Sequence, residues 1–164
     1  MARLEVPVRL RWSDIDAYAH VNNAQMITLL EEARIEAFWR HPVGAGDDPA
    51  GSVPTTAVLE SGPGAATSTL IARQEIQYLR PLPYLRRGVV VDLWIGHLGG
   101  ASLDVCYEVR DVPAEGEPTV YARATTTVVL VDAASGVPRR LTDAERAAWQ
   151  PYVEAPVVIR RRSS

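Results

Sequence analysis

Lysine is missing from this 164-residue chain: all seventeen basic side chains are arginine. That removes lysine as a Schiff-base nucleophile and leaves cations whose planar fork suits two oxygens of a phosphate at once. Cysteine occurs once, at Cys106, so no internal disulfide can form. Cys106 interrupts the alternation of Leu103, Val105, Tyr107 and Val109, which puts it on the opposite face of a strand, a poor place for a catalytic thiol. The net charge of −3 gives no global basic field, so nucleic acid is not expected as a partner. No apolar run approaches the roughly twenty residues that span a bilayer. No charged start followed by an apolar core opens the chain, and the expected location is cytoplasmic, without membrane association. There is neither a glycine-rich dinucleotide fingerprint nor a Cys/His ligand cluster, so no cofactor and no bound metal are expected.

What is present suits one domain with a substantial core, since 47% of the residues are hydrophobic. Val6, Val8, Leu10 and Trp12 alternate with Pro7, Arg9 and Arg11, a period of two that reads as a strand ending near Trp12. From Asn22 the period changes. Met26, Leu29, Leu30, Ala33 and Ala37 recur at helical spacing to about His41, with Ile27, Glu31, Arg34 and Phe38 along the neighbouring flank. Residues 42–66 are rich in glycine, proline and alanine and read as a loop, with a short strand around Thr55–Glu60 and room to close over a ligand. Four β segments follow at 67–79, 88–98, 101–111 and 118–132. Their short connections require antiparallel neighbours. Thr142 with Glu145 three residues on predicts a capped helix to Trp149, and the core is expected to span about 5–145 with a flexible tail beyond. One long helix against a curved antiparallel sheet gives an α+β fold.

Between the first strand and the helix lies Arg11-Trp-Ser-Asp-Ile-Asp-Ala-Tyr-Ala-His-Val-Asn-Asn23, which holds two carboxylates, an imidazole and two amides. Asn22 or Asn23 can cap the helix, and the cluster then sits at a helix N-terminus, where free N–H groups favour developing negative charge. Each residue also has an ordinary role available. Asp14 and Asp16 fit turn residues bonding their own backbone, and Glu31 with Arg34 fits a surface pair at i,i+3. Asp14, Asp16 and His20 are the only set that even suggests a metal grip.

The run Asp14-Ile-Asp-Ala-Tyr-Ala-His-Val-Asn-Asn23, followed by Glu31-Glu-Ala-Arg-Ile-Glu36 on the helix, resembles the signature of hot-dog-fold acyl-CoA thioesterases of the 4-hydroxybenzoyl-CoA thioesterase type. Glu75-Ile-Gln-Tyr-Leu-Arg-Pro-Leu82, Gly99-Gly-Ala-Ser-Leu103 and Thr125-Thr-Thr-Val-Val-Leu-Val-Asp132 resemble its later strands and turns. The resemblance implies a hot-dog fold, a homodimer or homotetramer, and hydrolysis of a fatty or aromatic acyl thioester of coenzyme A or an acyl-carrier protein. It gives Asp16 the part of general base or nucleophile and the Asn23 backbone N–H that of polarising the carbonyl. Some relatives carry histidine or tyrosine where Asn23 stands, so proton transfer would fall to another group such as His20. Arg34 is a further catalytic candidate, since other branches place functional groups on this helix. Asp14, Asn22 and Glu31 are candidates for substrate contact. Arg80, Arg86 and Arg87, with His97 nearby in the chain, are candidates for the coenzyme A phosphates. Two other readings stand beside hydrolysis. One is a non-catalytic acyl-CoA or acyl-carrier-protein binder. The other is a hot-dog hydratase or dehydratase, although Asp16 and His20 enclose only Ala-Tyr-Ala and lack an intervening Asn-Pro.

Overall fold

The computed structural model describes residues 2–40 and 54–160. Five strands, β1 (Leu4–Val8), β2 (Thr67–Tyr78), β3 (Val89–Leu98), β4 (Ser102–Arg110) and β5 (Val120–Asp132), form one curved antiparallel sheet in the order β1-β3-β4-β5-β2. The helix α1 (Asn23–Phe38) lies against one face, and the short helix α2 (Asp143–Trp149) follows the last strand. A long helix held against a curved antiparallel sheet is the hot-dog arrangement that the sequence pattern led us to expect.

The core forms where the two periodicities meet. Met26, Leu29, Leu30, Ala33, Ala37 and Phe38 of α1 are buried against Val91, Leu93, Ile95, Val105, Tyr107 and Val109 of the two central strands. Ala122, Ala124, Val128 and Leu130 extend that inner face along β5. Asn22 settles the capping question, because its side chain accepts from the Ala24 N–H at 2.8 Å while Asn23 is the first helical residue. Thr142 and Glu145 form the expected capping box.

Four expectations change. The first strand stops at Val8, and Trp12–Asp14 form a 3₁₀ turn instead. The Arg11 backbone is drawn into that turn by Asp14, and Trp12 leaves the core to stack on Tyr84 with ring centroids 4.2 Å apart. Helix α1 ends at Phe38, as Trp39 turns extended and bridges to Leu59. That bridge is the only strand-like pairing of the 54–60 segment among the described residues; Thr56 is tied instead to Ala37 and to Trp149. Residues 41–53, which hold most of the expected loop, lie outside the described residues.

The fourth change concerns the expected tail. Residues 150–160 run over the outer face of the sheet: Glu154 N–H bonds to the Ile95 carbonyl, the Trp94 indole N–H to Ala155, and Val157 N–H to the Cys106 sulfur at 3.4 Å. Gly96 makes this close pass possible, since a Cβ there would lie 2.6 Å from the Cys106 Sγ and 3.1 Å from Pro156. Cys106 is thus a covered structural thiol, and burial pushes its pKa up.

Candidate active site

The loop before α1 is held by its two carboxylates in different ways. Asp14 is completely buried. One of its oxygens accepts from the Arg11 backbone N–H at 2.7 Å, and the other accepts from the Arg11 guanidinium at 2.9 and 3.2 Å. Its own carbonyl takes the Asn22 N–H. Asp14 therefore fixes the entry to the helix, and both its oxygens are committed. Asp16 is only half-buried. Its Oδ1 accepts from the backbone N–H groups of Tyr18 (2.8 Å) and His20 (3.2 Å), while Oδ2 makes no hydrogen bond among the described residues. The chain between them doubles back: Asp16 N–H meets the His20 carbonyl, and Ile15 bridges Val21. Ala19 closes the turn at φ 62°, a left-handed conformation unusual for alanine.

This closure delivers the chain to the first turn of α1. Asn23 is exposed, and its N–H makes no hydrogen bond among the described residues, whereas the Ala24 N–H is capped by the Asn22 side chain and the Met26 N–H closes on the Asn22 carbonyl. No carboxylate occupies the first turn, so the positive end of the helix dipole is not neutralised there. The Tyr78 hydroxyl donates to the Asn23 carbonyl at 2.9 Å, and burial pushes its pKa up. A pocket of about 260 Å³ opens beside Asn23, lined by Val21, Met26, Tyr78, Leu79, Arg80, Pro81 and Leu82. It combines an apolar wall with backbone donors and one guanidinium, which suits an acyl group whose carbonyl must be polarised. A larger cavity of about 430 Å³ at the other end of α1, between Trp39, Leu59 and Thr67, contains none of the residues singled out from the sequence.

The structure separates the remaining candidates. Asp16 and His20 lie outside the lining of the Asn23 pocket; His20 is half-buried and its backbone bridges Pro83. Arg80 lines the pocket, whereas Arg86 and Arg87 are exposed on the turn before β3. His97 pairs with Asp104, near the far end of β3 from the Tyr78 row. Asn22 is committed to its cap. Glu31 is exposed, but Arg34 is not the surface partner expected: it is 3% exposed, donates to the Tyr107 hydroxyl at 3.1 Å, and stands 3.8 Å from Glu31. Its helical position points inward because it falls on the same face as Leu30 and Phe38. The Arg34 Nε is a buried nitrogen without a hydrogen-bond partner among the described residues. Among the described residues no group of three or more His, Cys, Asp or Glu is placed to hold a metal, since Asp14 is turned to Arg11.

Sequence reading missed Tyr78 and Tyr107. Tyr78 falls on the inner row of β2 with Ile76 and Gln74, and that alternation was visible; its hydroxyl's partner on a distant helix was not.

Comparison with known proteins places the chain in a family and a fold. Residues 10–157 match the family model of the thioesterase-like superfamily, and the chain belongs to that family. No curated protein matches the sequence. Among solved structures, a thioesterase from Thermus thermophilus, crystallised with coenzyme A and zinc, is 27% identical over 93% of this chain and 96% of its own, with a TM-score of 0.62. A predicted thioesterase from Bacillus stearothermophilus shares the fold at 22% identity and a TM-score of 0.70, covering 95% of this chain and all of that one.

Proposed function

We propose that this protein hydrolyses acyl thioesters of coenzyme A at the N-terminus of α1. The observation that carries the reading is the exposed Asn23 N–H, unpaired among the described residues in a first turn that holds no carboxylate of its own, opening on an apolar pocket that Tyr78 and Arg80 flank. The coenzyme A bound by the Thermus relative supports the same ligand class. In this reading the thioester oxygen lies against the Asn23 N–H. Asp16, through Oδ2, takes a proton from water as the water oxygen bonds to the acyl carbon. The C–S bond then breaks, and the thiolate leaves and is protonated, giving free acid and thiol. Attack by Asp16 itself, followed by hydrolysis of the anhydride, gives the same products. His20, held beside Asp16 by the loop, is the group available for proton transfer that the Asn23 amide cannot perform. Arg34 is given no part in the reaction, because it is spent on Tyr107 within the core.

The second copy is part of the proposal. Strand β2 ends the sheet with twelve residues and one unpaired edge, and Leu70 (55%) and Ile71 (43%) on it are exposed, as are Ile27 and Ile35 on the helix. A long exposed apolar edge is an aggregation hazard unless it is paired, so a homodimer joined through β2 is expected, with tetramers built from it.

The test is thiol release from short, medium, long and aromatic acyl-CoAs. Asp16→Asn should lower kcat/KM by about 10²–10⁴-fold, the usual contribution of a positioned acid–base group. Asn23→Ala should cost less because the backbone donor survives. No release by the wild type, with acyl-CoA binding intact, would remove the hydrolase reading in favour of a binder.

A further inference from the structure

Around the end of β2 from the Asn23 pocket lies a second concavity, of about 490 Å³, whose lining includes Leu79, Arg80, Val120, Arg123 and Arg160. It adjoins the first, because Leu79 and Arg80 line both. Among the described residues no carboxylate lines it, although the chain as a whole carries net negative charge. Among the described residues neither Arg80 nor Arg160 is in an ion pair. Arg123 uses its Nε on Glu108 at 2.8 Å, and Arg3, which meets the same carboxylate at 3.0 Å, is also paired with Glu154, so Arg80 and Arg160 are the cations of the hollow left without a carboxylate among the described residues. Arg160 is held in place through its backbone, which exchanges bonds of 3.4 and 3.5 Å with the Gln77 amide. Two guanidinium groups without a carboxylate, gathered in one hollow beside a third, repel one another unless an anion joins them.

We infer that this groove binds the phosphate groups of the thiol carrier whose acyl end occupies the Asn23 pocket. The inference rests on the acyl-thioester reading and gives the carrier a direction: from the inner side of the sheet, past Leu79 and Arg80, to the outer face at Arg123. Arginine is suited to the task, since its fork can give two N–H bonds to one phosphate and stays charged at any working pH. It also reassigns the phosphate contact expected from the sequence. Arg86 and Arg87 line neither concavity; Arg123 and Arg160 carry the site with Arg80.

The test compares one acyl group on three carriers: coenzyme A, 4′-phosphopantetheine and unphosphorylated pantetheine. In Arg123→Gln, and separately in Arg160→Gln, the ratio of kcat/KM for acyl-CoA to that for acyl-pantetheine should fall about tenfold, in line with the loss of a charge-assisted hydrogen bond of roughly 1.5 kcal/mol. An equal fall for acyl-phosphopantetheine would place the phosphate nearest the pantetheine arm in the groove; a fall for acyl-CoA alone would place the nucleotide phosphates there. An unchanged ratio in both variants overturns the inference. Arg160 lies beyond the last element of the fold, so its variant remains informative if Arg123→Gln fails to fold. Should the wild type hydrolyse none of the three, calorimetric titration with adenosine 3′,5′-bisphosphate and with phosphopantetheine decides the matter separately. Binding of either that Arg160→Gln weakens would sustain the groove without the hydrolase, and no binding of both would remove it.

Discussion

The two halves of this sheet are finished to different degrees. Strands β3 and β4 are covered on both faces, by α1 within and by residues 153–157 without, so that Val91, Leu93, Ile95, Val105, Cys106, Tyr107 and Val109 have no solvent exposure. Strand β2 has one neighbour, a free edge and mostly exposed side chains. The helix N-terminus, the Asn23 pocket and the arginine groove all belong to this open half. A closed half supplies stability, and the open half leaves polar groups and backbone donors unsatisfied where a ligand or a second copy can reach them. The same contrast recurs within three residues: Asp14, sealed by Arg11, builds the loop, whereas Asp16 keeps one oxygen available.

Three substitutions probe that contrast. The largest effect on stability should come from Trp149→Ala in the closed half. Trp149 is fully buried, meets Phe38 edge-to-face at 5.9 Å and donates to the Thr56 carbonyl at 3.0 Å. Its removal should cost about 3–5 kcal/mol in a denaturant titration. A loss under about 1 kcal/mol would show that this half is less rigidly packed than described.

Asp14→Ala should come next, at about 1–3 kcal/mol, because it strips the acceptor from the part-buried Arg11 backbone N–H that holds the turn, while leaving the Arg11 guanidinium free to reach water. The informative comparison is with activity. Thiol release by Asp14→Ala should follow the folded fraction, unlike that of Asp16→Asn; a fully folded Asp14→Ala without activity would erase the distinction between the two carboxylates.

The smallest change in fold stability belongs to Leu70→Glu, within about 0.5 kcal/mol, as for most surface positions. Its consequence should appear in assembly, where light scattering is expected to report a monomer in place of a dimer. An oligomer that survives the charge would mean that β2 is not the pairing edge.

Much of the fold was legible because its signals are local. The switch from period two to period 3.6 near Asn22, the turn at Gly99–Gly100 and the Thr142–Glu145 box each depend on residues a few positions apart, and each element formed where expected. The errors fell where a distant partner intervened. Trp12 continued a strand pattern but stacks on Tyr84, the 150–160 segment looked like a tail but lies on Trp94 and Cys106, and Thr55–Glu60 looked like a strand but is held by Ala37, Phe38 and Trp149. The site divided in the same way. The cluster from Asp14 to Asn23 could be read from composition at a strand-to-helix junction, but the division of labour between its two aspartates could not.

By itself the amino-acid sequence determined the α+β architecture, the place of the helix N-terminus and the concentration of polar groups before it, because periodicity and capping act over one or two turns of chain. Only the tertiary structure decided that Asp14 is buried, that Arg34 points into the core at Tyr107, and that Arg80, Arg123 and Arg160 share one hollow. Those outcomes depend on which strands become neighbours and what they cover, and residues far apart in the chain meet only after the sheet has closed.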